Sequence, residues 1–375
     1  MPRRVFITVG EVSGDQHAAK LIRCLRELDP DMEVEGLGGA AMSAAGAQLL
    51  EETVGNAALG WRGALRTFEV ARWLRQIRSH FQDRRPDLHI CIDSSAMNLP
   101  FANVARRNDV PVLYYIAPQV WASREWRLRK MRRRITRVAC ILPFEEQYFR
   151  RHGIDATFVG HPLFDDLPAE RDLRERPLFP ARPPVVGIIP GSRRSEVAAN
   201  FPHQLEVAQR IRAAHPGARF LVPSTPNAHE LVNQIAGDTP DMRIEADSFD
   251  RQIPQCDLVL CKSGTSTLHV AAYGVPMIVV YRIDPVLWHL AGRWLVKTPY
   301  VALVNILAGN VELVPEYVPW YGSNEPVAQC ALELLADPSR LDEQRTKLDR
   351  LIAPLDRRGA SMNAARIAMD MMKGT

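Results

Sequence analysis

The stretch KSGTSTLH, residues 262–269, sets Ser263, Gly264, Thr265 and Ser266 between the apolar run CDLVLC and what reads as a helix. Backbone N–H groups and hydroxyls at a helix start attract a phosphate, through orphan donors and the helix dipole. The plainer reading is an ordinary Ser/Thr cap. His269 closes the stretch on the first turns of that helix. In IIPGSRRSEV, Gly191 and Ser192 end a second apolar run and Arg193 projects from the turn. An arginine there can make bidentate bonds to a phosphate, or it is a surface side chain on a loop. Glu196 follows as a helix cap or as a partner that orients Arg193. VGEVSGDQHAAKLI carries Glu11, Gly14 and Asp15. It lacks the glycine order of a dinucleotide fingerprint and the G-K-[ST] of a P-loop. Two acids at a helix start oppose an anion and suit sugar hydroxyls, unless they only cap. In LHICIDSSAMN, Asp93 ends a strand and Asn98 follows it. A carboxylate so placed can act as a general base, or it too can be a cap.

These turns need elements to hold them. The runs RVFITVG, EVEGLGG, LHICID, VLYYIAP, RVACILP and ATFVG recur through the first half, and VVGIIPG, RFLVPS, CDLVLCKS and PMIVVYR through the second. Most are continuously apolar, the pattern of strands buried on both faces in parallel sheets. Helical patterns lie between them, so the fold class is α/β: two Rossmann-like doubly wound domains facing a cleft. The Pro- and charge-rich stretch DDLPAERDLRERPLFPARPP has neither period. It divides a domain over 1–165 from one over 184–350, with a linker at 166–183 and a C-terminal helix within 351–375 that can pack on either domain. In such sheets ligands bind beyond the carboxyl ends of the strands, where the turns above fall. That arrangement suggests a nucleotide or nucleotide-sugar enzyme.

Composition narrows the class. Of the 375 residues, 46% are hydrophobic and 24% charged, as in a globular enzyme. A net charge of +4 does not mark a nucleic-acid binder, and no nucleic-acid motif accompanies the basic runs. The six cysteines have no C-x-x-C spacing and no His/Cys cluster around them, which predicts free thiols in a reducing compartment and no metal. No signal peptide is read at MPRRVFITVG and no apolar window approaches a membrane span, so a cytoplasmic protein is expected. Two basic stretches suggest contact with an anionic membrane surface. In 61–81, Val70, Leu74, Ile77 and Phe81 follow helical spacing, with Arg72, Arg75 and Arg78 on another face. In 120–137, eight Arg/Lys residues accompany Trp121 and Trp126. Either stretch can instead be an amphipathic helix with a solvated charged face.

Taken in order, the motifs resemble one family, lipid-A-disaccharide synthase, a two-domain glycosyltransferase of the GT-B type. They are VGEVSGD, GLGGAAM (36–42), ID-x-x-x-x-N (92–98), YYIAPQVWA (114–122), ILPFEEQYF (141–149), FVGHPLFD (158–165), GSRRSEV (191–197), SGTSTL (263–268), PMIVVYR (276–282) and LVKTPYVALVNILAG (295–309). The resemblance implies a UDP-linked 2,3-diacylglucosamine donor and a 2,3-diacylglucosamine 1-phosphate acceptor. The products would be a β-1,6 disaccharide 1-phosphate and UDP, formed with inversion, no obligatory metal and no cofactor. It implies a nucleotide site at Gly191, Ser192, Arg193, Ser263, Gly264, Thr265, Ser266 and His269, lined by Asn305 and Gly309. Gly14, Asp15 and Asn98 would hold the acceptor, and Asp93 would take its proton. It also implies a cytoplasmic enzyme peripheral to the inner face of the cytoplasmic membrane, and leaves room for a homo-oligomer. Two positions depart from the family. Ala96 stands where a second acid is usual, and His269 where a glutamate bonds the ribose hydroxyls. The alternatives are a GT-B relative that binds UDP-sugar or glycolipid with reduced or lost turnover, and a UDP-sugar enzyme with a different acceptor.

Overall fold

The computed structural model describes residues 2–54, 63–168, 179–180, 182–283, 288 and 298–373. Trp61 and most of the expected linker, 166–183, lie outside the described residues. The chain divides into two compact units, Met1–Asp166 with Leu355–Thr375, and Leu167–Pro354.

The first unit is built on seven strands: β1 (Arg4–Thr8), β2 (Glu33–Gly38), β3 (Gln48–Glu52), β4 (Leu88–Ile92), β5 (Val112–Tyr115), β6 (Arg137–Cys140) and β7 (Ala156–Phe158). Their order is β3-β2-β1-β4-β5-β6-β7, with every pair parallel. The second has six: β8 (Val185–Ile189), β9 (Arg219–Ser224), β10 (Met242–Ala246), β11 (Leu258–Lys262), β12 (Met277–Arg282) and β13 (Glu316–Trp320). Their order is β10-β9-β8-β11-β12-β13, again all parallel. The helices that bear on the sites are α1 (Val12–Leu28), α2 (Ala40–Ala44), α3 (Gly63–Asp83), α4 (Ser95–Arg107), α5 (Leu128–Arg134), α6 (Arg194–Ala214), α7 (Phe249–Gln252), α8 (Thr265–Ala272), α9 (Leu303–Leu307) and α10 (Ala360–Lys373).

The continuously apolar runs form the strands, as in β4 and β8, where every residue is buried. Three strands escape that pattern. QLLEE, MRIEA and EYVPW form β3, β10 and β13, each at a sheet edge and largely half-buried or exposed. An edge strand meets water, so its sequence carries charge and loses the apolar signature.

The C-terminal helix completes the first unit. Ala364, Ala365 and Ala368 of α10 share a core with Leu21, Ile22 and Leu25 of α1. The Asp165 carboxylate accepts from the amides of Gly359, Ala360 and Ser361 at 2.7–3.2 Å and so caps α10. On α3, Trp73, Ile77 and Phe81 are buried, with Val70 and Leu74 packed against the same core. The apolar stripe of that basic stretch is therefore a core face. All six cysteines are free thiols.

In each sheet the chain reverses its direction of growth once, between β1 and β4 and between β8 and β11. Ligands of open α/β sheets bind at such points, beyond the carboxyl ends of the strands. The turn after β1 leads into α1 and that after β4 into α4; the turns after β8 and β11 lead into α6 and α8.

Candidate functional site

In the first unit the turns after β1 and β4 lie against each other. A Cβ on Gly10 would meet Met97 Cε at 2.8 Å and Ser94 Oγ at 3.0 Å, and one on Gly14 would stand 3.9 Å from the Cβ of Asp93. Asp93 and Ser94 have φ of 52° and 34°, in the left-handed region. Such strain persists only where the surroundings enforce it. Here Asn98 Nδ2 donates to the carbonyls of Ile92 and Asp93, both at 2.8 Å, and the Tyr114 hydroxyl donates to Asp93 O at 2.6 Å. The Asn98 oxygen accepts from Thr8 Oγ1 at 2.8 Å. Having given its proton away, that hydroxyl accepts from His89 Nε2 at 3.0 Å. Burial pushes His89 down to about 3, so it stays neutral.

Asn98, expected to hold the acceptor, is fully buried with both ends of its amide bonded internally, so here it holds the Asp93 turn. Asp15, expected beside it, is likewise tied up within the fold. It is buried, and its carboxylate accepts from the amides of Gly39, Ala41 and Met42 at 2.9–3.2 Å. It stands in the first turn of α1 yet caps α2. Asp93 itself is half-buried at the strand end, and Ala96 is exposed on the first turn of α4.

In the second unit the two helix starts differ. Glu196 closes α6 from within: its Oε2 accepts from the amides of Ser192 at 3.1 Å and Arg193 at 3.4 Å. The Ser192 and Arg193 amides are therefore occupied, while the Arg193 side chain, 66% exposed, can reach a phosphate. Gly191 has φ 128°, and a Cβ there would strike the Glu196 side chain at 2.6 Å. The start of α8 has no side-chain cap. Among the described residues the amides of Gly264, Thr265 and Ser266 make no hydrogen bond, so three orphan donors stand at an open helix end. Ser263 is buried with its amide bonded to Val280 O, and the Ser266 hydroxyl donates to Lys262 O at 3.2 Å.

Lys262 was missed by the sequence reading. Its ammonium donates to Glu196 Oε1 at 3.0 Å, lies 4.5 Å from the centre of the Tyr281 ring, and would stand 3.6 Å from a Cβ on Gly264. Burial opposes ionisation of Glu196, but the charge and hydrogen bond of Lys262 outweigh it and hold the carboxyl below its ordinary value. The one available signal was a lysine ending an otherwise apolar strand. Lys262, Arg193 and the open amides of α8 bring cations and free donors to the switch point, an arrangement that can hold an anion.

The remaining donor residues divide. Asn305 is fully buried: its Nδ2 donates to Val314 O and Glu316 Oε2, and its oxygen accepts from the amides of Leu313 and Val314. It ties α9 to the segment before β13, where the resemblance implied a donor-site contact. Gly309 is exposed with φ 85°, the left-handed residue that ends the turn after α9. His269 bonds Asp250 rather than standing open, with Nε2 at 2.7 Å from Oδ1.

The basic stretch after residue 120 is surface at its centre. Trp126 is 59% exposed, with the Arg127 guanidinium and the Lys130 ammonium at 5.4 and 5.1 Å from its ring. Arg129, Lys130, Arg132 and Arg133 are exposed and, among the described residues, form no ion pair. Leu128 and Met131 face inward, and Arg134 donates to Leu99 O at 3.0 Å. Trp121 instead donates to Glu145 at 2.9 Å. No helix of the described residues is long and apolar enough to cross a membrane.

The profile of a family described as lipid-A-disaccharide synthetase matches residues 5–370. The lipid-A-disaccharide synthase of Geobacter sulfurreducens is 35% identical over 376 residues, covering 98% of this chain and 97% of the relative. Among solved structures, CalG4, the calicheamicin glycosyltransferase, superposes with a TM-score of 0.65 at 14% identity, covering 99% of this chain and 98% of its own. MurG of Acinetobacter baumannii does so with 0.58 at 15% identity, covering all of both chains. These two likenesses show the GT-B fold.

Proposed function

The chain belongs to the lipid-A-disaccharide synthetase family, and from that premise we propose that it joins two acylated glucosamines. It is a UDP-sugar glycosyltransferase of lipid A biosynthesis. In the proposed reaction the 6-hydroxyl of 2,3-diacylglucosamine 1-phosphate attacks the anomeric carbon of UDP-2,3-diacylglucosamine. The new C–O bond forms as the bond to the diphosphate breaks, the electron pair leaves with UDP, and the anomeric centre inverts. The hydroxyl proton passes to Asp93, whose carboxylate the Asn98–Tyr114 clamp presents beside Gly14. Charge accumulating on the departing diphosphate is met by Arg193, Lys262 and the amides at the start of α8.

The observation that carries this reading is the open start of α8 beside Lys262. It supplies fixed positive charge where a leaving diphosphate needs it. The test is turnover of the two acylated sugars by the purified protein. Disaccharide and UDP in equal amounts are expected; tight UDP binding with no disaccharide would sink the proposal.

Acylated substrates sit in a bilayer, so we place the enzyme at the inner face of the cytoplasmic membrane, docked through Trp126 and the cations around it. Tryptophan with flanking basic residues suits an anionic interface, each cation contributing about 1 kcal/mol. Reversing Arg129, Lys130, Arg132 and Arg133 to glutamate should abolish co-sedimentation with anionic vesicles and leave UDP binding intact. The set omits Arg134, whose bond to Leu99 O belongs to the fold. Unchanged sedimentation would remove this face from the membrane contact.

A further inference from the structure

Asp250 has a placement that stability alone does not explain. It lies on α7, just beyond the carboxyl end of β10, on the same end of the sheet as the switch point. Its side chain is 58% exposed, where an ion pair contributes little. Yet two side chains hold the group. Oδ1 accepts from His269 Nε2 at 2.7 Å and from the Tyr273 hydroxyl at 2.8 Å. An ionised carboxylate only accepts, so Nε2 carries a proton. The imidazole in turn lies flat on Phe249, with centroids 4.1 Å apart and planes 22° apart. The bond from His269 holds the Asp250 carboxyl below its ordinary value, against burial. Oδ2 makes no hydrogen bond among the described residues.

An ionised carboxylate with one oxygen clamped and the other spare is a ready acceptor. His269 stands four residues beyond Thr265 on α8, about 6 Å along the axis from the open amides at the usual helical rise. In a nucleoside diphosphate the group next to the phosphates is a ribose with two adjacent hydroxyls. Carboxylates take such hydroxyls in other nucleotide-binding α/β folds. With its Nε2 proton given to Asp250, His269 keeps at most one acceptor, Nδ1, against two ribose hydroxyls.

Resting on the nucleotide site proposed above, we infer that Asp250 is a nucleotide-binding residue whose Oδ2 accepts from the ribose hydroxyls of UDP, with His269 and Tyr273 as its positioning residues. The chain thus takes its ribose contact from a second helix rather than from α8 itself.

The test is equilibrium binding of UDP, 2′,3′-dideoxy-UDP and pyrophosphate to the wild type and to Asp250→Asn, which keeps Oδ1 as an acceptor and removes the charge. The wild type should prefer UDP to the dideoxy analogue. Asp250→Asn should weaken UDP about ten- to hundredfold while leaving dideoxy-UDP and pyrophosphate unchanged or tighter. A through-space effect has the opposite sign, since losing a negative charge favours every phosphate ligand. Equal UDP affinity in the two proteins overturns the assignment of Asp250 and leaves the nucleotide site standing. A matching loss for pyrophosphate overturns it as well, by marking a structural defect. A wild type that binds no UDP overturns both readings.

Discussion

Asp93→Asn should lower the rate of disaccharide formation by about 10² to 10⁴, the usual worth of a positioned general base, with UDP affinity unchanged. Asparagine suits this test for a backbone reason. Asp93 sits at φ 52°, and asparagine enters that region with little penalty, so the turn survives. The clamp on the turn grips the Asp93 carbonyl, not its carboxylate. The substitution therefore removes proton acceptance and keeps that clamp. UDP affinity is unaffected because Arg193, Lys262 and the start of α8 belong to the other unit. The checks are single-turnover rate and UDP binding. A near-normal rate would eliminate Asp93 as the base. A carboxylate returned by Ala96→Asp, exposed on the first turn of α4 and favoured there by the dipole, should recover part of the lost rate.

Asn305→Ala should act on folding before it acts on substrate. The change leaves two amides and a carbonyl without this partner around a fully buried position, and takes from Glu316 Oε2 one of its two donors. Stranded buried groups cost about 1–3 kcal/mol each, and part of that is recovered by relaxation. A net loss of roughly 3–5 kcal/mol is expected, lowering the melting temperature of the second unit on the order of 10 °C. Glu316 also caps α9, accepting from the amides of Val301 at 2.6 Å and Ala302 at 3.1 Å. Losing Asn305 therefore loosens that helix too. Thermal unfolding followed by circular dichroism reads the effect. An unchanged melting temperature with weakened UDP binding would return Asn305 to the donor site as a direct ligand.

The contrast between these two residues shows how far the letters reach. Asp93 and Asn305 both sit in motifs that resemble the family, and both are polar residues expected at ligand sites. Asp93 lies on a half-exposed turn, whereas Asn305 lies inside. Nothing near Asn305 in sequence announces that Val314 and Glu316 return to surround it.

What the sequence determined by itself is the frame. Runs apolar without alternation require burial on both faces, which makes sheets parallel and covered. Parallel sheets put every strand-to-helix turn at one end, so the turns after β1, β4, β8 and β11 were readable as sites. The polar edge strands β3, β10 and β13 escaped because water, not helices, covers one of their sides. Tertiary structure decided which polar residues at the turns remain available. Whether a carboxylate or amide meets a ligand depends on donors brought to it from elsewhere. Asp15 met the start of α2, Glu196 met its own helix and Lys262, and Asn98 met Thr8. Asp250, 19 residues from His269, was carried to its side. Local patterning sets where backbone can turn, but the pairing of polar groups is a long-range property of packing, and it separates the residues that hold the site from those that use it.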